Sequence, residues 1–121
     1  MIYTGVDIVA NSRIEKIIDR FKEKFFKKIF TQNEIKYCKN QKKEIPCLSA
    51  RFACKEAVLK AYYQAFGELL TFKRIEVLGK SGLPAEVRIL NDKHAGEYWI
   101  NISISHEKEF SVAIAVIQKL N

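Results

Sequence analysis

The sequence predicts an α+β domain, helices packed on a largely antiparallel sheet, and three observations carry that prediction. An alternating apolar segment opens the chain. Apolar residues then recur at helical spacing to about Phe66, and after Gly67 the period changes to two. The third observation is the absence of any internal repeat, low-complexity tract or break in composition. With 121 residues, 48% of them hydrophobic, residues 1–121 are expected to form one domain with a core of its own.

The elements follow in the order β-α-α-α-β-β-β-β. "IYTGVDIV" alternates, with Ile2, Val6 and Ile8 on one side and Tyr3, Gly5 and Asp7 on the other, which predicts a strand. Asp7 is out of place there, because aspartate is disfavoured in strands and a buried carboxylate requires a charge or metal partner. "NSRIE" offers a capping box, Ser12 with Glu15, opening a helix that shares Ile14, Ile17, Ile18, Phe21 and Phe25 on one face. "FTQNE" repeats the device with Thr31 and Glu34 before a shorter helix. "KNQKKEIP" reads as a charged loop ending at Pro46. A long helix is expected from about Leu48 to Phe66, with Gly67 as its stop.

Beyond Gly67, "FKRIEVLG" and "AEVRIL" predict a hairpin joined by the "KSGLP" turn, and "NDKHAGE" is a polar break. "YWINISIS" alternates cleanly, and "HEKE" turns into "FSVAIAVI". There Phe110, Val112, Ile114 and Val116 are expected on the core side, leaving Ala113, Ala115 and Ile117 on an exposed face.

Charge is concentrated. Residues 11–43 hold 11 Lys or Arg against 4 acids, which accounts for the whole net charge of +7. Such a patch suggests an acidic partner, whether nucleic acid, an anionic lipid surface or a protein. No apolar run reaches the ~20 residues of a membrane span, and "MIYTGVDIV" lacks the basic start of a signal peptide. The expected location is cytoplasmic. Three cysteines without C-x-x-C predict neither a disulfide framework nor a zinc site, and the two that fall on predicted helices read as small hydrophobes.

The stretch "RFACKEAVLKA" holds most of the chemistry. Ala53, Cys54, Ala57, Val58 and Ala61 form a small-residue stripe that would let a helix approach a sheet closely. Arg51 and Lys55 flank it, and Glu56 and Lys60 lie on the far side. Two carboxylates on different elements, Asp7 and Glu56, with basic residues beside them, suit a hard cation holding a phosphate-bearing ligand. His106, at a hairpin turn, is a further suspect. No P-loop, G-x-G-x-x-G, G-x-S-x-G or H-E-x-x-H occurs.

"GVDIVANSRIEK", "KIFTQNEIKYC", "ARFACKEAVLKA", "SGLP" and "NISISH" occur in the order seen in holo-acyl-carrier-protein synthases, the short 4′-phosphopantetheinyl transferases, which the chain resembles from Gly5 to about Val116. The resemblance implies the single-unit fold of that family. It implies magnesium-dependent transfer of 4′-phosphopantetheine from coenzyme A to a serine of apo-acyl carrier protein, releasing adenosine 3′,5′-bisphosphate, in fatty acid biosynthesis. By resemblance Asp7 and Glu56 are the metal ligands, and Lys60 contacts the phosphates and completes the catalytic set. Arg51, Lys55 and His106 line the coenzyme A site, with the Ser81–Gly82–Pro84 turn near the adenine. Arg13 is the contact to the acidic carrier protein. The family's two-copy relatives imply that a single copy forms a homotrimer with sites between subunits. What takes the serine proton, a magnesium-bound water or Glu56, the residues leave open.

Two departures stand out. "KAYYQAFG" puts Tyr62 and Tyr63 where the family has a glycine-rich turn, so its backbone phosphate contacts do not carry over. Glu107 follows His106 where threonine is usual, and it either weakens phosphate binding or faces solvent. Two rival readings differ in class: a small basic nucleic-acid-binding domain and a non-catalytic carrier-protein-binding module. The first expects aromatics interleaved with basic residues on a sheet, whereas Phe21, Phe25 and Phe30 follow the helical core pattern; no nucleic acid partner is expected.

Overall fold

The computed structural model describes residues 1–79 and 82–120. The chain runs through β1 (Ile2–Ala10), α1 (Asn11–Phe21), α2 (Glu23–Ile29), α3 (Gln32–Lys39) and α4 (Glu44–Phe66). A 3-10 turn (Phe72–Arg74) leads to β2 (Ile75–Leu78), β3 (Glu86–Ile89), β4 (Tyr98–His106) and β5 (Phe110–Lys119). β1, β5 and β4 form an antiparallel sheet in that order, and β2 pairs with β3 in a separate hairpin. α4 lies across the three-stranded sheet and shares the main core with it. This is the α+β arrangement expected.

The close approach of α4 comes from small residues on both sides. A Cβ on Gly5 would lie 1.9 Å from the Ala57 carbonyl oxygen, so only glycine fits where β1 passes the helix. Ala53, Ala57 and Ala61 on α4 meet Ala113 and Ala115 on β5, all of them buried. That reverses the expected facing of β5. Ser111, Ala113, Ala115 and Ile117 point at the helix, while Phe110 and Ile114 are exposed. On β1 the large residues also point away: Ile2, Val6 and Ile8 are 61%, 58% and 63% exposed. The helix selected the small face because a bulky one would hold its axis off the sheet and forfeit close packing.

The helices differ from expectation at their ends. α1 begins at Asn11, its cap Ala10 accepts no side-chain bond, and the expected Ser12–Glu15 box does not form. Asn11 is instead drawn inward: its side-chain amide donates to the Glu107 and Lys108 carbonyls at 2.9 and 3.1 Å and accepts from Ser111 Oγ at 2.8 Å. At Lys22 (φ 45°) the chain breaks the expected single helix in two and leaves Phe21 exposed while Phe25 packs inward. The Thr31–Glu34 capping box is present in full. α4 starts at Glu44, ahead of Pro46, which the first turn tolerates because its N–H has no helical partner there. Gly67, at φ 68°, caps its end. Tyr62 is buried and donates to Asp92 Oδ1 at 2.7 Å, and Tyr98 donates to the other oxygen, so the helix continues through the place of the glycine-rich turn.

A second core of Ile29, Phe30, Cys38, Cys47 and Leu48 joins α2, α3 and the start of α4. Burying Phe30 alone contributes ~2–3 kcal/mol. Here the cysteine reading is corrected: Cys38 and Cys47 form a disulfide, with Cα atoms 5.5 Å apart, and only Cys54 is a buried free thiol. Burial pushes that thiol up to about 12.

Candidate active site

α4 carries ionisable groups on two flanks. On the flank toward β1, Lys60 Nζ donates to the Val6 carbonyl at 2.9 Å and lies 3.7 Å from Asp7 Oδ1. Burial raises the Asp7 pKa against the opposing pull of Lys60 and Arg13. Glu56 is raised by burial and then by the Asp7 carboxylate, again opposed by Lys60 and Arg13. The structure therefore brings Asp7, Glu56, Lys60 and Arg13 into one field. Two partly buried carboxylates, one of which raises the other's cost of ionisation, are a pair of hard oxygen donors, which fits a magnesium ion that keeps waters and takes substrate phosphate oxygens.

On the flank toward β4, a cavity of about 1040 Å³ opens between α4, the β2–β3 hairpin and β4. Arg51, Pro84 and His106 line it, together with Lys42, Lys43 and Tyr37, which sequence reading did not single out. The signal for the lysines was the charged "KNQKKEIP" loop. Arg51 is only 7% exposed and has no carboxylate within bonding distance among the described residues. Its guanidinium lies 4.3 Å from the Tyr37 ring centre, its Nη1 is 3.4 Å from Cys47 Sγ, and its buried Nε has no partner among the described residues. Burial lowers its pKa, with Tyr37 and Glu34 opposing, yet guanidinium stays charged. Such a cation is ready for an anion. Glu107 and Lys108 also line the cavity, and Asn11 holds the turn that carries them.

Lys55 is a correction. It is 0% exposed and its Nζ meets the Ile29, Phe72 and Ile75 carbonyls at 2.8, 3.0 and 2.6 Å, with Glu34 Oε1 at 2.7 Å. An ammonium has three protons, so none remains for coenzyme A. Burial lowers its pKa and Glu34 opposes that. Gly82 supplies φ 81° to the hairpin turn but does not line the cavity, and Ser81 lies outside the described residues.

This fold has known counterparts. A family profile described as the 4′-phosphopantetheinyl transferase superfamily matches residues 3–115, and the chain belongs to that superfamily. Within it the chain is similar to the holo-[acyl-carrier-protein] synthase of Aquifex aeolicus, 46% identical over 119 residues that cover 95% of this chain and 97% of that one. The Thermodesulfovibrio yellowstonii synthase is 49% identical over 115 residues, covering 93% and 95%. Among solved structures, the Helicobacter pylori synthase in complex with coenzyme A superposes with a TM-score of 0.81 at 31% identity, covering 95% of this chain and 99% of that one.

Proposed function

We propose that this chain transfers 4′-phosphopantetheine from coenzyme A to a serine of apo-acyl carrier protein, with magnesium, releasing adenosine 3′,5′-bisphosphate in fatty acid biosynthesis. The observation that carries the reading is the meeting of Asp7, Glu56 and Lys60 from β1 and α4. Asp7 and Glu56 would hold the metal; when bound, magnesium polarises the phosphoryl oxygens and steadies the leaving bisphosphate. Lys60 offers positive charge beside Asp7 for the diphosphate, and Arg51 offers it in the cavity for a further phosphate. Solved relatives with coenzyme A support the donor. The test is incubation with apo carrier protein, coenzyme A and magnesium, with mass spectrometry for one added phosphopantetheine. Absence of the adduct, or its persistence after chelation, overturns the reading.

The two flanks supply half-sites on different copies. β5 separates β1 from β4, so Asp7 and Ile104, which pair with the same Ala113, stand about 10 Å apart with α4 over the gap. A ligand joining the cavity of one copy to the carboxylates of another avoids that barrier. The outer sheet face, with Ile2, Val6, Ile8, Phe110 and Ile114 uncovered, offers the contact, and a homotrimer closes it. Mixing Glu56→Ala with His106→Ala subunits should then restore activity that neither has alone. Arg13, exposed beside the carboxylates, would meet the acidic carrier protein. Among the described residues no helix is long and apolar enough to cross a membrane. Catalysis in the cytoplasm, without nucleic acid, completes the proposal.

A further inference from the structure

We propose that the Cys38–Cys47 bridge and Tyr37 position Arg51 in the cavity wall, so that opening the bridge weakens phosphate binding there and leaves the carboxylate flank untouched. This rests on the coenzyme A reading. Cys47 stands one helical turn before Arg51, lines the same cavity, and brings its sulfur to 3.4 Å from Nη1. Cys38 follows Tyr37, whose ring supports the guanidinium at 4.3 Å. The bridge thus fixes the end of α3, which carries the ring, against the start of α4, which carries the cation. Gly79 forms the third wall: a Cβ there would come within 2.9 Å of Arg51 Nη2. The connection between the two cysteines also brings Lys42 and Lys43 to the cavity. Among the described residues no carboxylate anchors Arg51, and these contacts hold its position.

The bridge opens by exchange with a dithiol. The donor's thiolate attacks Cys47 Sγ from the cavity, forming a mixed disulfide and releasing Cys38 as thiolate, which takes a proton. The donor's second thiolate then attacks its own sulfur in the mixed disulfide, closing the donor's disulfide and freeing Cys47. Two electrons and two protons pass to the protein. Cys38 is fully buried and Cys47 is 9% exposed at the cavity wall, so Cys47 is the sulfur a dithiol reaches.

Adenosine 3′,5′-bisphosphate, which carries no thiol, is the probe. Thiol titration of the unfolded chain should find one free thiol in the air-oxidised protein and three after reduction. The Kd of the probe should rise roughly three- to tenfold on reduction, the share of a charge-assisted hydrogen bond lost in part. The Cys38→Ser/Cys47→Ser variant should match the reduced protein, and the KM for carrier protein should stay constant. In Arg51→Met the difference between oxidised and reduced forms should vanish. Equal Kd in both forms, three thiols without reduction, or a redox effect that survives Arg51→Met each overturns the clamp alone. Failure of both forms to bind the probe overturns the coenzyme A reading and the clamp with it.

Discussion

Lys55 and Lys60 lie five residues apart on one helix and hold charge in opposite ways. Lys55 sits in a network in which each group is answered: Glu34 accepts from Lys55, from the Thr31 N–H at 2.8 Å and from the Val77 N–H at 2.8 Å. Next to it Glu76 accepts from Thr31 and Arg88, both at 2.6 Å. Lys60 faces Asp7 at 3.7 Å with half its side chain in solvent, beside a second carboxylate that it does not neutralise. A saturated charge holds the fold. An under-compensated one awaits a ligand.

The largest effect should come from the under-compensated flank. Asp7→Ala or Glu56→Ala should lower kcat by about 10²–10³-fold, the usual result of removing a group that stabilises the transition state. Melting temperature should not fall, because each substitution relieves repulsion. A loss of fold would erase the contrast between the flanks. Lys55→Met should behave in the reverse sense, destabilising by about 3–5 kcal/mol because Glu34 is left charged and buried. Denaturant titration measures it; a cost below ~1 kcal/mol would mean that Lys55 is no more structural than a surface lysine.

Arg13→Glu should raise the carrier-protein KM severalfold with coenzyme A affinity constant, and the effect should shrink with salt over a Debye length of about 8 Å. An unchanged KM would remove Arg13 from docking. The smallest effect concerns pH. A carboxylate whose folded pKa is raised binds its proton more tightly when folded, so its ionisation destabilises the protein. That penalty is absent below the unfolded pKa, grows as pH rises toward the folded pKa, and is full above it. Asp7→Asn should therefore raise stability near neutral pH, and the gain should vanish below about pH 4. A gain that persists in acid would show that ionisation is not its source.

Much of the architecture was legible in local sequence. The change of period after Gly67, the Thr31–Glu34 box and the small stripe on "RFACKEAVLKA" each report a geometry the chain imposes on itself within a few residues. Asp7 was legible as a misfit and Glu56 as a charge on the polar side of its helix, and the tertiary structure brings them into one field. Lys42, Lys43 and Asn11 carried only weak signals, since a lysine-rich loop or a buried asparagine is recognised by what it faces.

By itself the sequence determined the order of strands and helices apart from the break at Lys22, the ends of most strands and the kinds of side chain available for chemistry. Tertiary structure decided which face of β1 and β5 turned inward, since both faces are apolar and only the size match of Gly5, Ala113 and Ala115 to Ala57 chose between them. It also sent Lys55 into the core and Lys60 to the surface, and it brought Cys38 to Cys47 across a connection of ordinary appearance. Periodicity describes what a segment can bury. What it buries against is fixed by the volume and charge of residues far away in the chain.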